Sequence, residues 1–146
     1  MPYEISTTIE IAATPEHVWA VLSDLASYPQ WHPVFRAVTG QLAAGSKITI
    51  TTAHPVSDRT MTARVRVLTA EPTRHLRWVS NLGVMRSERS FILTPEAGGT
   101  QLEQTATYRG LLVRFPEKTI TRIQDTFVAI NQAIKQQAEA RQRASG

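Results

Sequence analysis

Arg89 and Gln104 are the two side chains whose positions ask most plainly for chemistry. Ser87, Arg89, Phe91 and Leu93 alternate along one run, and Leu102, Gln104, Ala106 and Tyr108 along another. A period of two puts each set on one face of a strand, the face its large apolar members carry inward. An arginine and a glutamine on such a face are costly unless water, a partner or a ligand meets them. An inward Arg89 would hold a carboxylate or phenolate, and with Tyr108 it would supply acid–base or oxyanion roles. The competing reading pairs Arg89 with Glu88 or Glu103 at the rim of the sheet, or leaves it on the surface. The pattern alone leaves both open.

Other chemistries find little support. The four histidines, at 17, 32, 54 and 75, lie far apart, and none stands in HxH or HExxH spacing. They read as solvated loop histidines, His32 and His54 beside prolines in particular, and no metal site is expected. There is no cysteine and no serine within GxSxG, so neither a thiolate site nor a nucleophilic triad is expected. Glycines 98, 99 and 110 form neither GxGxxG nor a phosphate loop, and Gly98–Gly99 reads as a hairpin turn. No cofactor is expected. The net charge of +4 and pI near 10 raise nucleic acid or an anionic surface as partners. The 16 basic residues are nevertheless scattered singly, the nearest to a cluster being Arg141 and Arg143. No nucleic-acid partner is expected.

The elements that must position these residues are legible in outline. Residues 3–12 alternate as a strand with one wet face, Tyr3, Ile5, Thr7, Ile9 and Ile11 lying on the other. Thr14, Pro15 and Glu16 form a helix start, followed by Val18, Val21, Leu22 and Leu25 at helical spacing. From residue 34 to 109 the punctuation is that of an antiparallel meander, with strands near 35–41, 46–53, 60–70, 75–80, 86–94 and 101–109. Met61, Ala63, Val65 and Val67 form one apolar face there, and Trp78 shares its face with Leu76 and Ser80. After Pro116 a helix of about 24 residues carries Ile120, Ile123, Phe127, Ile130, Ile134 and Ala138 on one stripe. Gln124, Asp125, Asn131, Gln132, Lys135 and Gln136 are assigned to its other faces. Only the concave side of a curved sheet is large enough to receive that stripe.

The segment YPQWHP, residues 28–33, suits neither helix nor strand interior, because each proline removes a donor and fixes its own φ. Its aromatics either seal one end of a solid core or form the lip of a hollow. With 146 residues and no apolar run of about 18, the chain has the size of one domain and no membrane span. The N-terminus lacks the regions of a signal peptide, so a cytoplasmic protein is expected. One domain, 1–146, is expected, its polar end (141–146) frayed.

With that order in hand, the sequence resembles the START/polyketide-cyclase-like (SRPBCC) superfamily. The likeness is carried by IEIAATPEHVWAVLSDLASYPQWHPVF, LRW at 76–78, SFILTP at 90–95, GTQLEQTATYRG at 99–110 and the closing helix. It implies an α+β helix-grip fold, in which a curved antiparallel sheet of about seven strands wraps around the long C-terminal helix and two short helices follow the first strand. It also implies a hollow between sheet and helix, closed at one end by Tyr28–Pro33. The expected partner is a hydrophobic small molecule (a lipid, aromatic or polyketide-like compound), bound, carried or sensed by a monomer or weak homodimer. The alternatives are a cyclase or dehydratase using the same hollow, and a protein-binding adaptor. An apolar pocket of several hundred Å³ is expected. Residues expected to line it are Tyr28, Trp31, Phe35, Met61, Trp78, Arg89, Phe91, Gln104, Tyr108, Ile123, Phe127 and Ile130.

Overall fold

The computed structural model describes residues 3–53, 59–81, 83, 85–110 and 115–145. Strand β1 (Tyr3–Ile11) leads into helix α1 (Pro15–Ser23). Thr14 caps that helix: its hydroxyl accepts the His17 N–H at 3.3 Å, and Pro15 sits where no donor is missed. Val18, Val21 and Leu22 are its buried stripe. A 3-10 turn over Leu25–Ser27 and a single helical turn, α2 (Tyr28–Trp31), follow.

Six strands come next: β2 (Phe35–Gly40), β3 (Lys47–Ala53), β4 (Thr60–Glu71), β5 (His75–Asn81), β6 (Met85–Glu96) and β7 (Gly99–Gly110). From β2 onward each strand pairs antiparallel with the next, as short connections require. β1 adds to the open side of β7, so the sheet order is β1-β7-β6-β5-β4-β3-β2. Register shifts at Phe35/Ala37 and Val67/Thr69 mark bulges in β2 and β4, which strengthen the twist that curves the sheet. The β6–β7 turn needs its glycines. Gly98 has φ +85°, and a Cβ at Gly99 would collide with the Ile11 carbonyl.

Helix α3 (Glu117–Ser145) has 29 residues and spans about 44 Å, longer than the pattern predicts. It lies along β1, β7 and α1, burying Phe127, Ile130, Ile134 and Ala138. The polar end expected to fray instead continues the helix, because α1 gives it partners. Arg141 pairs with Asp24 at 3.1 Å, and His17 Nε2 lies 2.9 Å from the Ser145 hydroxyl. Thr14 N–H also donates to Gln142 at 3.0 Å. The α+β helix-grip architecture implied by the resemblance is the one observed. No helix among the described residues is long and apolar enough to cross a membrane.

Candidate functional site

On the concave face of the sheet, away from the buried stripe of α3, the inward side chains become small. Ala63 on β4, Ser80 on β5, Ser87 on β6 and Ala106 on β7 fail to fill the space beneath them, and a hollow of about 230 Å³ remains. Phe35, Ile50, Trp78, Arg89 and Tyr108 supply its larger walls. The volume falls below the several hundred Å³ expected. Trp78 and the Arg89 side chain take up room that aliphatic side chains would leave.

Arg89 is the charge in this wall. Its guanidinium stands 4.6 Å from the Phe127 ring centroid and 6.0 Å from that of Phe35, with the Tyr108 side chain beside it. Burial lowers its pKa, with Tyr108 and Tyr28 pulling the other way. The rim-pair alternative does not apply, since Glu88 pairs with Arg77 at 3.1 Å. Among the described residues no carboxylate pairs with Arg89. An inward cation met only by two rings and a phenol is well placed for an anionic group in the hollow.

The rings of the broken segment pack behind Phe35, which lines the hollow. The Tyr28, His32 and Phe35 rings stack almost parallel, with His32 and Phe35 centroids 4.0 Å apart, and Trp31 packs tilted against Tyr28 at 4.8 Å. The Tyr28 hydroxyl donates to the Leu22 carbonyl at 2.6 Å, and burial raises its pKa. His32 is not the solvated loop histidine expected. It is 5% exposed, and its Nδ1 accepts the Val34 and Phe35 N–H groups at 3.0 and 2.9 Å. The ring therefore replaces the backbone acceptors that the turn after α2 lacks, and carries its proton on Nε2. Burial, and secondarily the Arg89 charge, push its pKa down to about 3.

Gln104 points inward but does not reach the hollow. Fully buried, it donates through Nε2 to Asn131 Oδ1 at 2.7 Å, while Asn131 Nδ2 donates to the Thr7 hydroxyl at 2.9 Å. Asn131 belongs to the buried face of α3, not to the outer faces assigned from the pattern, because it lies one turn beyond Phe127. Gln104 Oε1 is buried without a partner.

Of the residues expected to line the pocket, Phe35, Trp78, Arg89 and Tyr108 do so. Tyr28, Phe91, Phe127 and Ile130 are buried core, and Trp31 and Ile123 pack half-buried against it. Trp31 Nε1 donates to the Ser27 hydroxyl at 3.1 Å. Met61 shares the inward face of β4 but is 53% exposed, because it sits at the strand's outer end, beyond the reach of α3. Thr52 and Glu88 also line it, as do Ile50, Ala63, Val65, Ser80, Ser87 and Ala106. The signal for these last was small or aliphatic side chains in phase with large inward neighbours. His54 lies outside the described residues. Among the described residues no group of three or more histidines and carboxylates could hold a metal ion.

Residues 2–139 match the family described as polyketide cyclase / dehydrase and lipid transport, and the chain belongs to it. No curated protein matches the sequence. Among solved structures, the Zhui aromatase/cyclase from Streptomyces sp. R1128 is similar over 100% of this chain and 99% of its own, at 19% identity and TM-score 0.77. A START superfamily protein from Mycobacterium smegmatis is 18% identical, covering 94% of this chain and 97% of its own at TM-score 0.76. A Rhodobacter sphaeroides protein is 22% identical, covering 94% of this chain and 92% of its own, also at TM-score 0.76. At these identities the likeness is one of fold.

Proposed function

We propose that this member of the polyketide cyclase / dehydrase and lipid transport family binds a compact, largely apolar small molecule bearing an acidic or enolisable oxygen. The observation that carries the reading is Arg89, a cation inside the concave face that pairs with no carboxylate among the described residues. The apolar body would lie against Phe35, Ile50 and Trp78, and the oxygen would meet the guanidinium. At about 230 Å³ the hollow is smaller than the usual 300–1,000 Å³ ligand site, so a one- or two-ring molecule suits it better than a long acyl chain. Carriage or sensing of such a compound, in the cytoplasm, is the leading role.

A second reading, catalysis of a cyclisation or dehydration, is favoured by the Arg89–Tyr108 contact. A phenol beside a guanidinium gives one group to stabilise an enolate and another to pass a proton, in a site that sheds water.

Binding is tested by titrating an environment-sensitive apolar dye into protein purified without detergent, with native mass spectrometry of the same sample. One saturable site is expected. Ala106→Trp fills the hollow from its floor and should abolish that site while the protein stays folded. Unfolding by Ala106→Trp, together with no saturable dye site in the unaltered protein, would mean a solid core.

A further inference from the structure

The basic residues, dispersed in the sequence, are gathered by strand register onto the outer, convex face. Lys47 on β3 stands directly opposite Arg66 on β4, and Arg86 on β6 directly opposite Arg109 on β7. Arg64 lies two residues from Arg66 on the same face, about 7 Å along the strand. All five side chains are exposed, and among the described residues none forms an ion pair. Like charges directly opposite on a sheet destabilise it, so two such pairs with only β5 between them are not what folding alone would select. The nearest carboxylate on this face, Glu88, is taken by Arg77 at 3.1 Å, while Glu4 and Glu103 sit beyond it on β1 and β7.

Between these cations runs an open groove of about 480 Å³, walled by Lys47, Arg64, Arg66 and Arg86, with Leu68, Val79 and Asn81 between them. We propose that this groove is a second site, separate from the hollow, for a small polyanion: a diphosphate group carried on a compact apolar or planar body. Two phosphates have the charge to be shared by the cations of the two rows. Arginine presents the donor fork that fits phosphate oxygens, Asn81 adds an amide, and Leu68 and Val79 offer a floor for the uncharged part. The occupant is small because the groove holds only about 480 Å³, and among the described residues no aromatic side chain lines it for stacking of a single-stranded nucleic acid.

Calorimetric titration with inorganic phosphate, pyrophosphate and a nucleoside diphosphate tests the site on the intact protein. Saturable 1:1 binding of pyrophosphate is expected, about tenfold tighter than phosphate, tighter again for the nucleoside diphosphate, and weakened several-fold when salt rises from about 0.05 to 0.2 M. Arg66→Gln and Arg86→Gln should each weaken it about fivefold or more, with thermal stability unchanged or raised as a like-charge pair is relieved. Arg89→Met should leave it unchanged, which separates this site from the interior one. Equal binding of all three anions, or no effect of Arg66→Gln, would overturn the proposal. So would retention of anionic vesicles or single-stranded DNA without saturable pyrophosphate binding.

Discussion

Replacing Arg89 by methionine keeps the length of the side chain and removes its charge. The loss is chiefly a cation–π contact with Phe127, about 0.5–2 kcal/mol. Against it stands relief from holding a poorly hydrated cation among Phe35, Phe127 and Trp78. Swaps of buried charge for apolar volume are often neutral or stabilising by about 1–4 kcal/mol. The opposing contributions are of similar size, so the urea-unfolding free energy should change by less than about 1.5 kcal/mol. Binding should respond differently. A charge-assisted hydrogen bond is worth about 1.5–3 kcal/mol, so an anionic naphthalene-sulfonate dye should lose about 10- to 150-fold in affinity. A neutral solvatochromic dye of similar size should lose little. A stability loss above about 3 kcal/mol would make Arg89 a structural member of the core, as removal of one partner from a buried pair does. Equal losses for both dyes would mean that the guanidinium does not face the ligand. Either result refutes the reasoning.

His32 predicts a pH dependence. Its pKa is about 6.5 unfolded and about 3 folded, so only the unfolded chain takes up the proton as pH falls between these values. Its contribution is fully present above about pH 6.5 and is lost at up to about 1.4 kcal/mol per pH unit below that. The slope between pH 6.5 and 5, above the range where Glu139 titrates, should flatten in His32→Gln. Phe127→Ala should cost about 3–5 kcal/mol in urea melts, whereas Gln132→Ala on the exposed face should stay within about 0.5 kcal/mol. Gln104→Leu should cost about 1–3 kcal/mol by stranding Asn131. The double variant Gln104→Leu/Asn131→Leu should cost less than the sum of its parts, and strict additivity in that cycle would break the proposed network.

Much of this protein was decided locally and was therefore readable in the sequence. The cap at Thr14, the turn at Gly98, the alternation of β6 and β7 and the stripe of α3 depend on neighbours a few residues away. Periods of 2 and 3.6 expose such neighbours directly. Together with short connections they led to the pairing of successive strands in one curved sheet, while the pattern left the direction of Arg89 open. What periodicity cannot supply is the identity of the residue met across space. Gln104 and Arg89 share the same inward logic, yet one meets Asn131 and the other the wall of a hollow. The difference lies in where along the sheet α3 packs. His32 sits in a proline-bounded stretch that reads as solvated, but the turn after α2 folds its ring against Tyr28 and Phe35, where burial keeps it neutral. Lys47, Arg64, Arg66, Arg86 and Arg109 span more than 60 residues of chain, and only strand register makes them neighbours. Secondary structure is a short-range property of the chain, whereas a site is a meeting of distant residues. Sheet register and helix docking decide those meetings.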